Sequence, residues 1–257
     1  MPITVYNNND IHDDCSTDGC PYTSKVYDSR ANNETIFGPY NWMIEGVRSP
    51  MMNEFNLTAE YFDSKNFHGL YHIADSAVAL DYEGYPEHET FYTDSEWELT
   101  HEFQKVFLSL SNSKDGRALE VSRILRKPME IMSDKVSNLL NDFVADISSE
   151  SSKVKYVIYS AHDDQWTNMM NFLVEDYAWI PFASTVTFEL KYSAKCLKDT
   201  NKASENCFGV SILANGKPLD FNECTGDHFT LHGCSYPEFL DMIKSRWYSG
   251  KHADDLD

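Results

Sequence analysis

The chain has 257 residues, of which 42% are hydrophobic and 14% aromatic, so it can bury a sizeable core. Its 41 Asp and Glu residues against 21 Lys and Arg give a net charge of −20. That charge argues against a nucleic-acid partner, because such binding requires a basic face. The sequence contains no apolar run of the roughly 18 residues needed to span a bilayer. Composition therefore predicts one globular domain, or one domain with a smaller lobe.

The first half of the chain is predicted to be mainly helical. Residues 1–28 are predicted to form an opening strand and a polar, cysteine-bearing loop. Residues 31–110 are expected to form a small helical lobe, in which residues 91–110 carry apolar side chains on one helical face. Two more amphipathic helices are predicted over 117–132 and 133–147, and Pro128 is expected to kink or end the first of them.

The run Val154–Tyr159 is the strongest strand signal in the chain. It is β-branched and aromatic, as is typical of a strand covered on both faces in an α/β sheet. It leads to His162, Asp163 and Asp164. Ligands of such sheets bind outside the carboxyl ends of the strands, so His162 and Asp163 are candidate functional residues. The simpler alternative is that these residues only begin a polar loop.

The remaining elements follow from local signals. A helix over 166–177 would place its N-terminus, a natural anion site, against the His162-Asp163 loop. A strand is predicted over 185–190, and Asn215-Gly216 predicts a type I′ hairpin turn. A closing helix over 235–248 is expected to be capped by Ser235, followed by a frayed end over 250–257.

Six cysteines and two sequons predict passage through a secretory pathway. Six cysteines allow many connectivities, and spacing favours pairing of neighbours: Cys15–Cys20, Cys196–Cys207 and Cys224–Cys234. A zinc site would need clusters such as C-x₂-C, which the sequence lacks. The candidate glycosylation sites are Asn33 and Asn56.

The segment Tyr159-Ser160-Ala161-His162-Asp163 resembles a signature of the histidine acid phosphatases. Ile180-Pro181-Phe182-Ala183-Ser184 and the strand after it also resemble that family, as does the pair Cys224 and Cys234 with the helix that follows. The resemblance implies an α/β fold: a single domain over 1–257 with a mixed sheet flanked by helices and the helical lobe over about 31–110. It further implies that His162 binds phosphate and that Asp163 is the proton donor.

The function implied by this resemblance is hydrolysis of a small phosphomonoester through a phosphohistidine intermediate. No metal or cofactor is expected, and the location implied is secreted or lysosomal. The chain contains no Arg-His-Gly, the core of the family's nucleophile motif. We therefore expect that an N-terminal portion is missing, with the central strand, the nucleophile and the signal peptide, which leaves open whether this chain is an enzyme.

Asp164 is a further departure, because an added negative charge would weaken phosphate binding. The alternative function is a catalytically silent secreted binding protein on the same scaffold. A third hypothesis is a metal hydrolase built on His162, Asp163 and Asp164, which would need further ligands.

Overall fold

The structure, a computed structural model, describes residues 21–85, 90–141, 156–174, 176–199, 201–224 and 233–248. Its helices are α1 (Pro21–Arg30), α2 (Glu34–Phe37), α3 (Asn41–Glu54), α4 (Ala59–Asp63), α5 (Phe67–Tyr82), α6 (Asp94–Ser111), α7 (Lys114–Asn141), α8 (Asp163–Leu173), α9 (Ala194–Lys198) and α10 (Tyr236–Arg246). Its strands are β1 (Val186–Tyr192), β2 (Phe208–Ala214), β3 (Lys217–Pro218) and β4 (Cys234–Ser235). The fold is therefore α/β in composition, with helices surrounding a small sheet.

Strand β2 is the centre of the sheet. It pairs with β1 in a register that joins Val186 to Ala214, and it also pairs with β3 and β4. The turn from β2 to β3 has positive φ at Asn215 (48°) and Gly216 (75°), as a type I′ turn requires, so that prediction is confirmed. All of the described pairings are antiparallel, so the predicted mixed sheet is wrong for the described strands.

The predicted strand at Val154–Tyr159 is the largest error in secondary structure. Residues 154 and 155 lie outside the described part of the chain, and residues 156–161 have no regular secondary structure. The side chains of Tyr156, Val157 and Ile158 are 65%, 41% and 79% exposed. A strand needs a neighbour for its hydrogen bonds, and none of the described strands pairs with this segment. An apolar run alone does not provide that neighbour.

Helix boundaries also depart from the predictions. Residues 21–28 belong to α1, where a loop was expected, and α8 begins at Asp163, three residues before the expected start. Helix α7 continues through Pro128, which neither ends it nor separates two helices. Residues on both sides of the proline, such as Leu125 and Leu139, are buried in the same core, and this packing offsets the lost hydrogen bond.

Two hydrophobic cores organise the described residues. One joins the sheet to α7, α8 and α10 and includes Phe208, Ile212 and Phe239. The other lies among α2 to α6 and includes Phe37 and Phe107. The lobe over about 31–110 remains a prediction about domain organisation.

Two of the three predicted disulfides lie within the described residues. Cys196–Cys207 and Cys224–Cys234 are bonded, as their spacing predicted. Cys15 and Cys20, the polar loop before Val154 and the tail over 250–257 lie outside the described part. Within the described helices, no segment is both long and apolar enough to cross a bilayer.

Candidate functional site

The N-terminus of α8 brings the two predicted site residues to the surface. His162 is the N-cap residue with extended backbone, and its N–H donates to Gln165 Oε1 at 2.9 Å. Asp163 opens the helix, and both it and His162 are exposed. A Gln side chain three residues after the cap is the sequence signal for this start, and it explains why α8 begins earlier than its apolar pattern indicated.

Acidic side chains of α8 already accept the first N–H groups of the helix. The Asp164 N–H donates to Asp163 Oδ1 at 2.9 Å, and the Gln165 N–H donates to Asp164 Oδ1 at 2.8 Å. The helix terminus predicted to bind an anion therefore carries two carboxylates of its own. An incoming phosphate would meet like charge at this position.

Helix α5 supplies two further polar groups to the region of Asp163, from the side of the helical lobe. The Tyr71 hydroxyl donates to Asp163 Oδ2 at 3.2 Å, and its ring stacks on Phe107 with centroids 4.5 Å apart. One turn later, Asp75 is half-buried and accepts from Gln104 Nε2 at 3.3 Å. Burial, and then the charge of Asp163, raise the pKa of Asp75.

Glu120 of α7 approaches the same region from the protein interior. It is 4% exposed, it accepts a hydrogen bond from Asn168 Nδ2, and the Thr23 side chain also favours its charged form. Burial, reinforced by the charge of Asp164, raises the pKa of Glu120 to about 7. Burial also raises the pKa of Asp164, and the neighbouring Asp163 adds to that shift.

We refer to Asp75, Glu120, Asp163 and Asp164 as the carboxylate cluster. Within the described part of the chain, no lysine or arginine forms an ion pair with Asp75, Asp163 or Asp164. Arg123 lies near Glu120 and favours its charged form, but this is the smallest of the effects on the Glu120 pKa. His162 favours ionised Asp164 and His72 favours ionised Asp75, so the negative charge of the cluster is only partly compensated, and the group that it would hold best is a cation.

Aromatic and imidazole side chains border the carboxylate cluster. Burial and the charges of Asp164, Asp28 and Asp163 raise the pKa of Tyr27 to about 12, so its hydroxyl stays protonated. The His68 ring lies 5.6 Å from the Tyr27 ring and 4.4 Å from the His72 ring. Burial and then the neighbouring His72 lower the pKa of His68.

The described residues do not favour the metal-hydrolase hypothesis. In that part of the chain, no group of three or more His, Cys, Asp or Glu side chains has an arrangement that could hold a metal ion. His162, Asp163 and Asp164 adjoin one another in sequence, but they are not arranged around a common point where a metal could bind. They take part instead in hydrogen bonds and charge interactions at the start of α8.

Sequence reasoning found two members of the site and missed others. His162 and Asp163 lie together as predicted, while their catalytic roles remain predictions. Tyr71 and Asp75 were missed because no motif marks a pair from a distant helix. A signal existed for Glu120, since it is a carboxylate beside the buried Val121 on the apolar side of α7.

Both sequons are exposed in the structure. The Asn33 side chain accepts from the Thr35 N–H at 2.9 Å at the start of α2, and Asn56 follows α3 with φ of 49°. Their exposure is compatible with glycosylation, which remains a prediction.

Comparison with known proteins gives a weak similarity. No protein-family model matches the chain, and no solved structure matches it. Two ATP-dependent helicase/deoxyribonuclease subunits, from Bacillus mycoides (strain KBAB4) and Bacillus cereus (strain AH187), are each 23% identical to it over 168 residues. The alignment covers 57% of this chain but only 14% of the length of these relatives.

Two predictions are corrected by these findings. The acid phosphatase function predicted from His162 and Asp163 is wrong, because the similarity found is to helicase/deoxyribonuclease subunits. The α8 terminus gives the physical reason, since Asp163 and Asp164 already accept the N–H groups that a phosphate would bind there. The exclusion of nucleic acid from the protein's partners is likewise corrected by the same similarity.

Proposed function

We propose that this protein takes part in nucleic-acid processing by binding a basic protein partner through the carboxylate cluster. The similarity to helicase/deoxyribonuclease subunits supports the nucleic-acid context. The net charge of −20 makes basic protein side chains a closer electrostatic match to the carboxylate cluster than a phosphate backbone is. A protein that binds nucleic acid carries Lys and Arg side chains, and an acidic surface is complementary to these.

The carboxylate cluster is the single observation that carries this proposal. Asp163 is exposed, and Tyr71 fixes its Oδ2, so a partner's guanidinium would meet an oriented carboxylate. Glu120 is too buried to contact a partner, but it is coupled to Asp164 by charge and adds to the negative potential of the cluster. Charge-assisted hydrogen bonds from Arg or Lys would satisfy the Asp163 oxygens and relieve the repulsion among the carboxylates.

Binding of a cation is coupled to protonation in this proposal. Burial and Asp163 raise the pKa of Asp164, and a positive charge placed beside it would lower that pKa again. The partner would therefore bind more tightly as the pH rises and the cluster ionises. Proton release on binding, measured by calorimetry in buffers of different ionisation enthalpy, is the expected signature.

A pair of matched variants tests the site. Binding of a labelled oligoarginine peptide and of a labelled DNA duplex is measured by fluorescence anisotropy. We expect the peptide to bind the wild-type chain more tightly than the duplex does. Asp163→Asn should weaken peptide binding by about fivefold to tenfold. Asp94→Asn is the control, because Asp94 is the exposed first residue of α6 and the change in net charge is the same.

Two outcomes contradict the proposal. Equal effects of Asp163→Asn and Asp94→Asn would mean that only net charge attracts the peptide. Tighter binding of the duplex than of the peptide by the wild-type chain would mean that the cluster does not select basic side chains.

The cellular location and the ancestry are separate proposals. The two disulfides are consistent with an extracellular or secretory-pathway protein, and we infer secretion or delivery to a lysosome. We also infer descent from the histidine acid phosphatase scaffold, which the Tyr159–Asp163 segment and the bonded Cys224–Cys234 pair support. An experimental structure whose β1–β4 and α10 superimpose on that family would support descent, and a different strand order would contradict it.

A further inference from the structure

A second site lies in a groove between α7 and α10, built from residues outside the carboxylate cluster. We call this cavity the α7–α10 groove, and its volume is about 630 Å³. That size is within the range of small-molecule sites, roughly 300–1,000 Å³. The groove is therefore better suited to a small molecule than to a protein segment.

The floor of the groove is apolar. Met129 of α7 faces Leu240 and Ile243 of α10, and Trp247 closes the end that follows α10. These side chains belong to, or pack against, the core around the sheet. The Tyr248 N–H donates to Ser122 Oγ at 3.0 Å, which fixes the end of the groove against α7.

Two tyrosines line this groove, and their buried hydroxyls make no hydrogen bond of standard geometry among the described residues. They are Tyr236, which is 1% exposed, and Tyr248. Burial raises the pKa of Tyr236, and the Ser133 side chain lies close enough to its hydroxyl to offset part of that rise. A buried hydroxyl that lacks a good hydrogen bond destabilises the folded state. Both groups would gain from a ligand that carries a hydrogen-bonding head.

The charges at the edge of the groove are positive, in contrast to the protein as a whole. Arg126 and Lys244 are exposed lining residues, and neither forms an ion pair with a described carboxylate. Glu130 also lines the groove, but it is paired with Lys127 at 3.3 Å. Two cations that are unpaired within the described structure, in a chain of net charge −20, mark this groove as a place for an anion.

We propose that the α7–α10 groove binds a small amphipathic carboxylate, with its apolar body on the floor and its carboxylate held by Arg126 and Lys244. The phenol hydroxyls of Tyr236 and Tyr248 complete the polar contacts. A cation of the same shape would be repelled by Arg126 and Lys244. A neutral molecule would lose the charge-assisted hydrogen bonds.

Calorimetric titration of the full chain with dodecanoate and with phenylbutyrate tests this assignment. We expect one of these carboxylates to bind at a single site, and dodecyltrimethylammonium, which has a similar alkyl chain and the opposite charge, not to bind. The double variant Arg126→Ala/Lys244→Ala should lose about tenfold or more in affinity. Tyr236→Phe and Tyr248→Phe should each weaken binding by about twofold to fivefold.

Lys127→Ala is the matched control, because Lys127 adjoins Arg126 on α7 but does not line the groove. It should bind the carboxylate as the wild type does. Failure of both carboxylates to bind, equal binding of the cationic probe, or equal losses in Lys127→Ala and the double variant would each overturn the proposal. All of the changed cations are exposed, so circular dichroism should show the variants folded.

Discussion

At the scale of single residues, Glu120 links the carboxylate cluster to the stability of the fold. Its pKa rises from 4.5 to about 7 in the folded chain, so the folded state binds more protons at this group than the unfolded state does. The stability that protonated Glu120 contributes is therefore fully present below its unfolded pKa. This stabilisation is lost as the pH rises from about 4.5, the unfolded pKa, through about 7, the folded pKa.

Glu120→Gln removes this pH dependence, because a neutral amide replaces a carboxyl that must ionise while buried. We expect the variant to exceed the wild type in free energy of unfolding by roughly 2–3 kcal/mol at about pH 8, and by little at about pH 4. Urea denaturation at both pH values measures the difference. Glu98→Gln, on the exposed face of α6, should show no such pH-dependent gain. A constant difference at both pH values would contradict the assigned shift.

At the scale of elements, helix α7 shows how tertiary packing prevails over a local helix breaker. Pro128 has no N–H to donate within the helix, yet buried side chains precede and follow it. We expect Pro128→Ala to stabilise the chain by about 1–2 kcal/mol, since the regained hydrogen bond outweighs the added entropy of the unfolded state. Thermal denaturation measures this change.

Pro50→Ala is the informative comparison for that prediction. Pro50 lies inside α3 but is buried, so its replacement regains a hydrogen bond and loses packing. Its gain should be smaller than that of Pro128→Ala, or reversed. A loss of stability in Pro128→Ala would contradict the prediction, because it would mean that the proline stabilises α7 despite the missing hydrogen bond.

Local signals in the sequence were sufficient for some elements and insufficient for others. The Ser235 cap with Glu238 and the turn at Asn215-Gly216 depend on a few neighbouring residues, and both were predictable. The segment 154–159 was not, because a strand depends on a pairing neighbour that its own sequence does not specify. The contact from Tyr71 to Asp163 was missed for the same reason, since it joins residues 92 positions apart.

At the scale of the whole molecule, the disulfides tie the sheet to the segments around it. Cys196–Cys207 joins α9 to the start of β2, and Cys224–Cys234 joins the segment after β3 to β4. Replacing Cys224 and Cys234 with Ala should lower the free energy of unfolding by roughly 2–4 kcal/mol, because the unfolded chain gains freedom. Denaturation of the folded double variant checks this value, and unchanged stability would contradict it.

The exposed segment Tyr156–Ile158 predicts self-association of the whole chain. Adjacent apolar side chains that no described helix or strand covers form a surface that favours contact between copies. Ile158 is 79% exposed, so Ile158→Lys should leave stability unchanged and reduce association in sedimentation experiments. A wild-type chain that stays monomeric at high concentration would contradict this prediction.

The central claim is that the carboxylate cluster binds a basic protein partner, and a basic protein that also binds DNA can test it. Competition measures it most directly: a labelled DNA duplex is bound to a histone, and the chain is added while anisotropy is followed. We predict that the wild type displaces the duplex and that Asp163→Asn does so less effectively than Asp94→Asn. Retention of the duplex on the histone at saturating wild-type chain would contradict the claim.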